Sequence, residues 1–186
     1  MNRIDYRHVF REVYVPPRDV VARVVVPPRR CLAIDGEGPL DTKAFRAAVA
    51  ALRALDKALR RRLKRGPMAL DFSSMPLEVQ RHAARNWTVL LFQPPVVDAA
   101  LVTSEQAAMA DITVARLELR PLPEVPALQT LHAAAMDTVD DALQRLAAFA
   151  AGHGLHLAAG HTTIDLGDPR KPPFSCNKTL VRRDLA

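Results

Sequence analysis

"RRCLAIDGEGPLDTKAFRAAVAALRAL" (Arg29–Leu55) and "PALQTLHAAAMDTVDDALQRLAAFA" (Pro126–Ala150) are the two stretches on which the fold turns. Each opens with an apolar run, passes through a polar turn and enters a segment with apolar side chains at helical spacing. The first helix is expected from about Thr42 to Arg65, with Phe45, Val49, Leu52, Leu55, Leu59 and Leu63 on one face and Asp41 or Thr42 as N-cap. The second is expected within "DTVDDALQRLAAFAAGHG", with Asp137 or Thr138 as N-cap and the Gly152/Gly154 region closing it. A pair of strand-like runs follows each helix: "MALDFSSMPLEV" with "NWTVLLFQPP", then "HLAAGHTTIDLGDP" with "CNKTLVRRDL". Identity between the halves is weak, but strand, turn, helix, strand, strand occurs twice. A duplicated βαββ unit predicts an α+β fold with pseudo-two-fold symmetry, an antiparallel-rich sheet and two long helices on one face. The crevice between the halves is a natural ligand site.

Working outward, residues 1–20 read as a polar N-terminal arm, 21–95 as the first half, 96–110 as a helical connector and 111–186 as the second half of a single domain. The run "VARVVVPPRRCLAIDGEG" is a strand interrupted at Pro27-Pro28, because proline supplies no N–H to a ladder. "ITVARLELRPLP" and "VPALQTLHAAA" read as strands.

With 49% apolar residues the chain of 186 can bury a sizeable core. No apolar run approaches the ~18 to 20 residues that span a bilayer. The charges spread through "MNRIDYRHVFREVYVPPRDVV" leave no hydrophobic leader, so a cytoplasmic protein with no membrane partner is expected. Cys31 and Cys176 are too few for a thiolate zinc site and read as buried or semi-buried thiols. The net charge of +6 invites a nucleic-acid partner. The densest cluster, "RALDKALRRRLKRG", sits instead at a helix C-terminus, where cations are favoured by the macrodipole. With no helix-turn-helix or zinc-finger spacing, nucleic acid is not expected as a partner.

The chemistry-bearing residues are sparse. His153, His156 and His161 cluster in sequence, yet no carboxylate stands at ligand spacing, so no metal is expected. Ser73 and Ser74 lack a nucleophile elbow, and "DGEG" lacks the frame of a nucleotide loop, so no triad and no cofactor are expected. Glu78 and Trp87 remain. A carboxylate between apolar strands must find a partner or shift its pKa. If both residues line the crevice, they suit a planar or cationic organic ligand, with cation–π attraction of ~0.5 to 2 kcal/mol.

"CLAIDGEG", "MPLE", "NWTVLLFQPPVV", "GHTTIDLGDPRK" and "NKTLVR" occur in the order and spacing of a family. Over roughly residues 23–183 the chain resembles the stand-alone GyrI-like small-molecule-binding proteins, and with them the effector-binding domains of multidrug-responsive regulators. The resemblance implies two βαββ repeats with a ligand crevice between them, and no attached DNA-binding domain. Glu78 falls on the acidic residue of the family's "MPLE", and Trp87 on a family tryptophan. Asp168, Pro169, Arg170, Lys178 and Thr179 fall on tail motifs of structural character. Thr163 stands where a pocket glutamate is typical, Asp165 where a tyrosine is, and Met136 where another tyrosine is. The crevice implied here has exchanged aromatic walls for softer, adaptable ones.

The leading expectation is binding of hydrophobic, planar or cationic small molecules between the halves. Glu78 is the electrostatic contact, Trp87 and Phe92 the stacking surface, and Leu77, His132, Met136, Thr163 and Asp165 complete the lining. One alternative is hydrolysis of a strained electrophile such as a cyclopropane-bearing DNA alkylator, an activity the resemblance implies for a subset of the family, with Glu78 or Asp165 directing water. Another is a protein-interaction or gyrase-associated module using the basic surface. The sequence leaves the oligomeric state open.

Overall fold

In the computed structural model the described residues are 3–15, 20–82, 85–133, 139–168, 171 and 178–186. Two short helices, α1 (Tyr6–Val9) and α2 (Arg11–Tyr14), precede strands β1 (Val21–Val26) and β2 (Arg29–Glu37). Helix α3 (Lys43–Arg65), β3 (Leu77–Arg81), β4 (Asn86–Gln93) and helix α4 (Ala99–Met109) follow. The second half runs β5 (Glu118–Leu122), β6 (Val125–His132), helix α5 (Asp140–Gly152), β7 (His161–Asp165) and β8 (Thr179–Asp184).

Local chemistry sets the helices. The Thr42 hydroxyl caps α3 by accepting from the Phe45 N–H at 3.2 Å, and the apolar stripe from Phe45 to Leu63 is buried. Asp98 caps α4 through the Leu101 N–H at 2.8 Å. Helix α5 buries Ala142, Leu146 and Ala150. Val139 holds its N-cap position without a side-chain bond, while Asp137 and Thr138 lie outside the described residues. Beyond the helix C-cap at His153, Gly154 turns the chain at φ +64.

The eight strands form one sheet in the order β1-β6-β8-β7-β3-β4-β2-β5, with every neighbour antiparallel. About the β3–β7 seam, β3, β4 and β2 on one side answer β7, β8 and β6 on the other, so the α+β duplicated βαββ fold is the observed one. The outermost strands are exchanged: β1 lies on β6 and β5 on β2. Val26 pairs with Val125, and past the prolines Arg29 pairs with Leu122. One ladder thus continues through both bends, which is why Pro27, Pro28 and Pro123 are tolerated there. Only two residues join β1, at one end of the sheet, to β2 near the other, so the sheet curls.

Side chains alternate across the pleat. Leu32, Ile34, Trp87, Val89 and Leu91 share the face carrying α3, as the Phe45–Trp87 ring contact shows, and Leu128 and Val181 pack with α5 on that face. Cys31, Ala33, Glu78, Leu90, Phe92 and Arg182 point to the opposite face, which the N-terminal arm covers.

Four sequence expectations are corrected. The arm is not merely polar, because Val13 and Tyr14 are buried at its end. "MALDFSS" is no strand: Phe72 makes only an isolated bridge with Ile4, and Ser74 turns its hydroxyl to Asp56 at 2.8 Å. In "ITVARLEL" the Asp111 carboxylate accepts from the Thr113 and Val114 N–H groups, which starts a 3-10 turn (Val114–Arg116) and delays β5 to Glu118. In "HLAAG" only Leu157 bridges, to Leu185, and β7 starts at His161.

Gly160 precedes β7 at φ +80, and a Cβ there would meet the Arg81 carbonyl oxygen at 2.3 Å. Gly160→Ala is therefore expected to destabilise by ~1 to 3 kcal/mol, read as a lower urea midpoint at unchanged m-value.

Candidate functional site

On the helix-bearing face, the strand register places His132, Thr179, Asp165, Leu77 and Leu91 in one row across β6, β8, β7, β3 and β4. The next row is Thr130, Val181, Thr163, Val79 and Val89. All ten are buried, so the floor of the seam carries an unusual load of polar groups beside apolar ones. Asp165 accepts from the Gly167 N–H at 2.9 Å, and the Thr163 hydroxyl reaches the Val79 carbonyl at 3.4 Å. The Thr179 hydroxyl is buried without a hydrogen-bond partner among the described residues. A small cavity of about 20 Å³ opens beside Asp165, walled by Met75, Pro76, Leu77, Leu91 and Arg53. Arg53 is half-buried and donates to the Lys171 carbonyl at 2.9 Å. Burial pulls its pKa down while Asp165 and Asp56 push it up, and the net displacement is downward.

Glu78 occupies the other face. It is fully buried, accepting from the Tyr14 hydroxyl at 2.5 Å and Arg29 at 3.1 Å, with Arg182 at 3.8 Å. Arg182 is 2% exposed at its side chain and is anchored by the Gln129 side chain and the Val13 carbonyl. Burial raises the pKa of Glu78, but the two guanidiniums and the hydrogen bonds outweigh it, leaving the carboxyl below its ordinary value. Burial, then Glu78, pushes Tyr14 well above the usual phenol. Cys31, beside this group, is pushed up to about 12 and is a poor nucleophile at neutral pH, whereas Cys176 lies outside the described residues.

The predicted lining is thus divided by the sheet. Leu77, His132, Thr163 and Asp165 come together on the helix-bearing face. Glu78 and Phe92 share the opposite face, where Phe92 packs on Tyr6 and Phe10 at centroid distances of 5.4 and 5.2 Å. Trp87 does not meet Glu78. It packs edge-on against Phe45 at 5.2 Å and over Gly36, beneath α3, in the row that runs on through Arg81. Alternation along β3 and β4 forbids the pairing of Glu78 with Trp87, since Arg81 is the cross-strand neighbour of Trp87 and lies an odd number of residues from Glu78. Met136, Pro169 and Arg170 lie outside the described residues. Thr179 belongs to the same row as Asp165, a position the tail motif marked as structural.

Tyr14, Arg29, Arg182 and Arg53 were missed from sequence. Strand parity could have put Arg182 and Glu78 on one face only once the strand order was known. His153 donates through Nδ1 to the Phe149 carbonyl at 2.8 Å and stacks on the Phe149 ring at 4.0 Å. Among the described residues no three of His, Cys, Asp and Glu are arranged to hold a metal. The basic run of α3 forms its polar face, with Arg60 paired to Asp56 at 2.9 Å and Lys64 to Asp71 at 2.7 Å.

No protein-family model matches the chain, and no curated protein matches it. Solved structures do. A hydrolase from Listeria innocua superposes with a TM-score of 0.86 at 23% identity over 100% of both chains. A second structure of a hydrolase from Listeria innocua gives 0.85 at 24% identity, over 99% of this chain and all of that one. The EcmrR C-terminal domain superposes at 0.56 and 9% identity, over 90% of this chain and 97% of that one. At these identities the likeness establishes a shared fold. No helix among the described residues is long and apolar enough to cross a membrane.

Proposed function

We propose that the protein binds a hydrophobic small molecule at the β3–β7 seam between α3 and α5. The observation that carries this reading is the buried polar row His132–Thr179–Asp165 next to Leu77 and Leu91, with the Thr179 hydroxyl left unpartnered among the described residues. Apolar walls with a few convergent polar groups are the usual make-up of a small-molecule site. A buried hydroxyl without a partner is a group that a ligand's donor or acceptor can satisfy. Asp165 supplies the negative charge for a cationic ligand, and Arg53 across the cavity limits how much cationic charge the site accepts. The cavity between the described residues is small, so a drug-sized ligand requires the walls to part. Glu78 serves this site indirectly, by holding the sheet beneath it.

The second reading is hydrolysis, favoured by a water-sized space against the Asp165 carboxylate. Asp165 would orient or deprotonate that water toward an electrophile held on Leu77 and Leu91. The Listeria relatives bear the name hydrolase, which agrees with this reading at the level of fold.

A thermal-shift series with a planar cationic dye and a neutral analogue of the same ring system, followed by mass spectrometry, separates the two. Saturable stabilisation with both compounds recovered intact is the expected result for a binder. Asp165→Asn is then expected to weaken the cationic dye about tenfold and leave the neutral analogue unchanged, the size of a charge-assisted contact of ~1.4 kcal/mol. A water adduct on an electrophilic compound, with turnover reduced ~10²- to 10⁴-fold in Asp165→Asn at retained binding, would replace the binder by the hydrolase. Equal responses of wild type and Asp165→Asn to every compound would remove Asp165 from the site.

A further inference from the structure

At the end of the seam away from Asp165, a third row crosses the helix-bearing face. The register pairs Trp87 with Arg81 and Arg81 with His161. Continuing the β7–β8 ladder one step past Thr162–Arg182 brings Arg183 beside His161. The row therefore holds two guanidiniums, an imidazole and an indole on four adjacent strands. Three of their nitrogens, Arg81 Nη1, Arg183 Nε and Trp87 Nε1, are buried with no hydrogen-bond acceptor among the described residues. Among the described residues Arg81 makes no ion pair, and Arg183 spends one nitrogen on the Ala158 carbonyl at 2.7 Å. Asp140, at the start of α5, is the acid that acts on His161, and it forms no ion pair with any of the three.

A buried guanidinium nitrogen without an acceptor is costly, more so beside a second cation. Arg29 and Arg182 share the counterion Glu78, although Arg29 Nε also lacks an acceptor. Here the donors share one row of the face, and these nitrogens have no acceptor among the described residues. Arg81, His161 and Arg183 are each half-buried, so the row has access to solvent. Four residues along β3 and β7 separate it from the Asp165 cavity, roughly 13 Å at ~3.3 Å per residue.

We propose that Arg81, His161 and Arg183, with the Trp87 indole N–H, form a subsite for an oxyanion, either free phosphate or the phosphate or carboxylate group of a small molecule lying along the seam. Arg81 and Arg183 supply the charge, each through N–H groups that now lack acceptors. His161 donates a further bond when its imidazole is protonated, which a bound anion favours. In the anion-free protein, burial and the two guanidiniums hold the His161 pKa below its ordinary value.

The test uses inorganic phosphate, phenyl phosphate and benzoate against sodium chloride at matched ionic strength, with unfolding temperature and the His161 imidazole NMR signal as readouts. The expected result is a saturable rise in unfolding temperature with the oxyanions and a His161 titration displaced to higher pH when they are bound. Arg81→Met should abolish both responses, and Arg183→Gln should weaken them several-fold if Arg81→Met does not fold. Inorganic phosphate acting as strongly as phenyl phosphate assigns the site to the free ion. A stronger effect of phenyl phosphate or benzoate assigns it to an anionic group of a larger ligand. Asp165→Asn should leave the phosphate response intact, so failure of the seam as a drug site and failure of this subsite are read separately. No oxyanion effect beyond that of chloride, or an unchanged response in Arg81→Met, would overturn the proposal.

Discussion

Glu78→Ala is expected to lower the stability of the protein by about 3 to 5 kcal/mol, because it removes the counterion of two buried guanidiniums. The side chains of Arg29 and Arg182 are 7% and 2% exposed, and Glu78 is 0% exposed. Neither cation can turn to water without moving the sheet, so deletion leaves two like charges facing one another. The loss also strips the Tyr14 hydroxyl of its acceptor, and α2 is tied to the sheet through that bond and the Val13 carbonyl. The variant should therefore free the N-terminal arm before the rest of the fold opens, read as early amide exchange in residues 6–15. Glu78→Gln keeps the shape and an acceptor for Tyr14 but not the charge, and should fall between wild type and Glu78→Ala. Urea midpoints within about 0.5 kcal/mol of wild type for both variants would mean that the ion cluster does not hold the sheet.

The same group sets an acid limb. The folded pKa of Glu78 lies below its ordinary value of 4.5, so its contribution is present above that value and lost as pH falls through the folded one. Asp5 and Asp35, held low mainly by hydrogen bonds from Arg7 and Arg120, act in the same direction, while Asp184, raised by burial, acts in the opposite one. In Glu78→Ala, stability should fall less steeply below pH 4.5 than in wild type, by up to one proton's worth of slope, ~1.4 kcal/mol per pH unit.

Trp87→Ala is the second large effect, expected at about 3 to 5 kcal/mol from lost burial and the cavity left behind. The ring fills the gap between Phe45 of α3 and Gly36 of β2, where a Cβ would sit 2.2 Å from its atoms. Trp87→Phe should retain the edge contact with Phe45 and lose roughly half as much. Because Trp87 is 3% exposed beneath α3, a ligand at the Asp165 end of the seam should change its fluorescence little. A large quench on binding of the cationic dye would instead return Trp87 to the ligand wall.

Much of this architecture was legible in the chain. The stripes of α3 and α5, the Thr42 cap, the strands β2, β4, β6 and β8 and the repeated order all follow from local periodicity and capping, which neighbouring residues suffice to encode. The break at Pro27-Pro28 was legible too. Its consequence was not: the exchange of β1 and β5 depends on which strands pair, and pairing is non-local. "MALDFSS" misled because its alternation resembles a strand, yet Ser74 and Asp71 are engaged by Asp56 and Lys64, contacts 18 and 7 residues away.

The site divides along the same line. By itself the sequence implied that Glu78, in an apolar context, must find a partner or shift its pKa, and strand parity puts Thr163 and Asp165 on one face once β7 is known. Tertiary structure alone decided that Glu78 finds Tyr14 and Arg29, 64 and 49 residues distant, and so turns inward to the fold. It also separated Glu78 from Trp87 and gathered Arg81, His161 and Arg183 into a row. The physical reason is that periodicity fixes the direction of a side chain relative to its own strand, whereas the groups it meets are set by strand order and register.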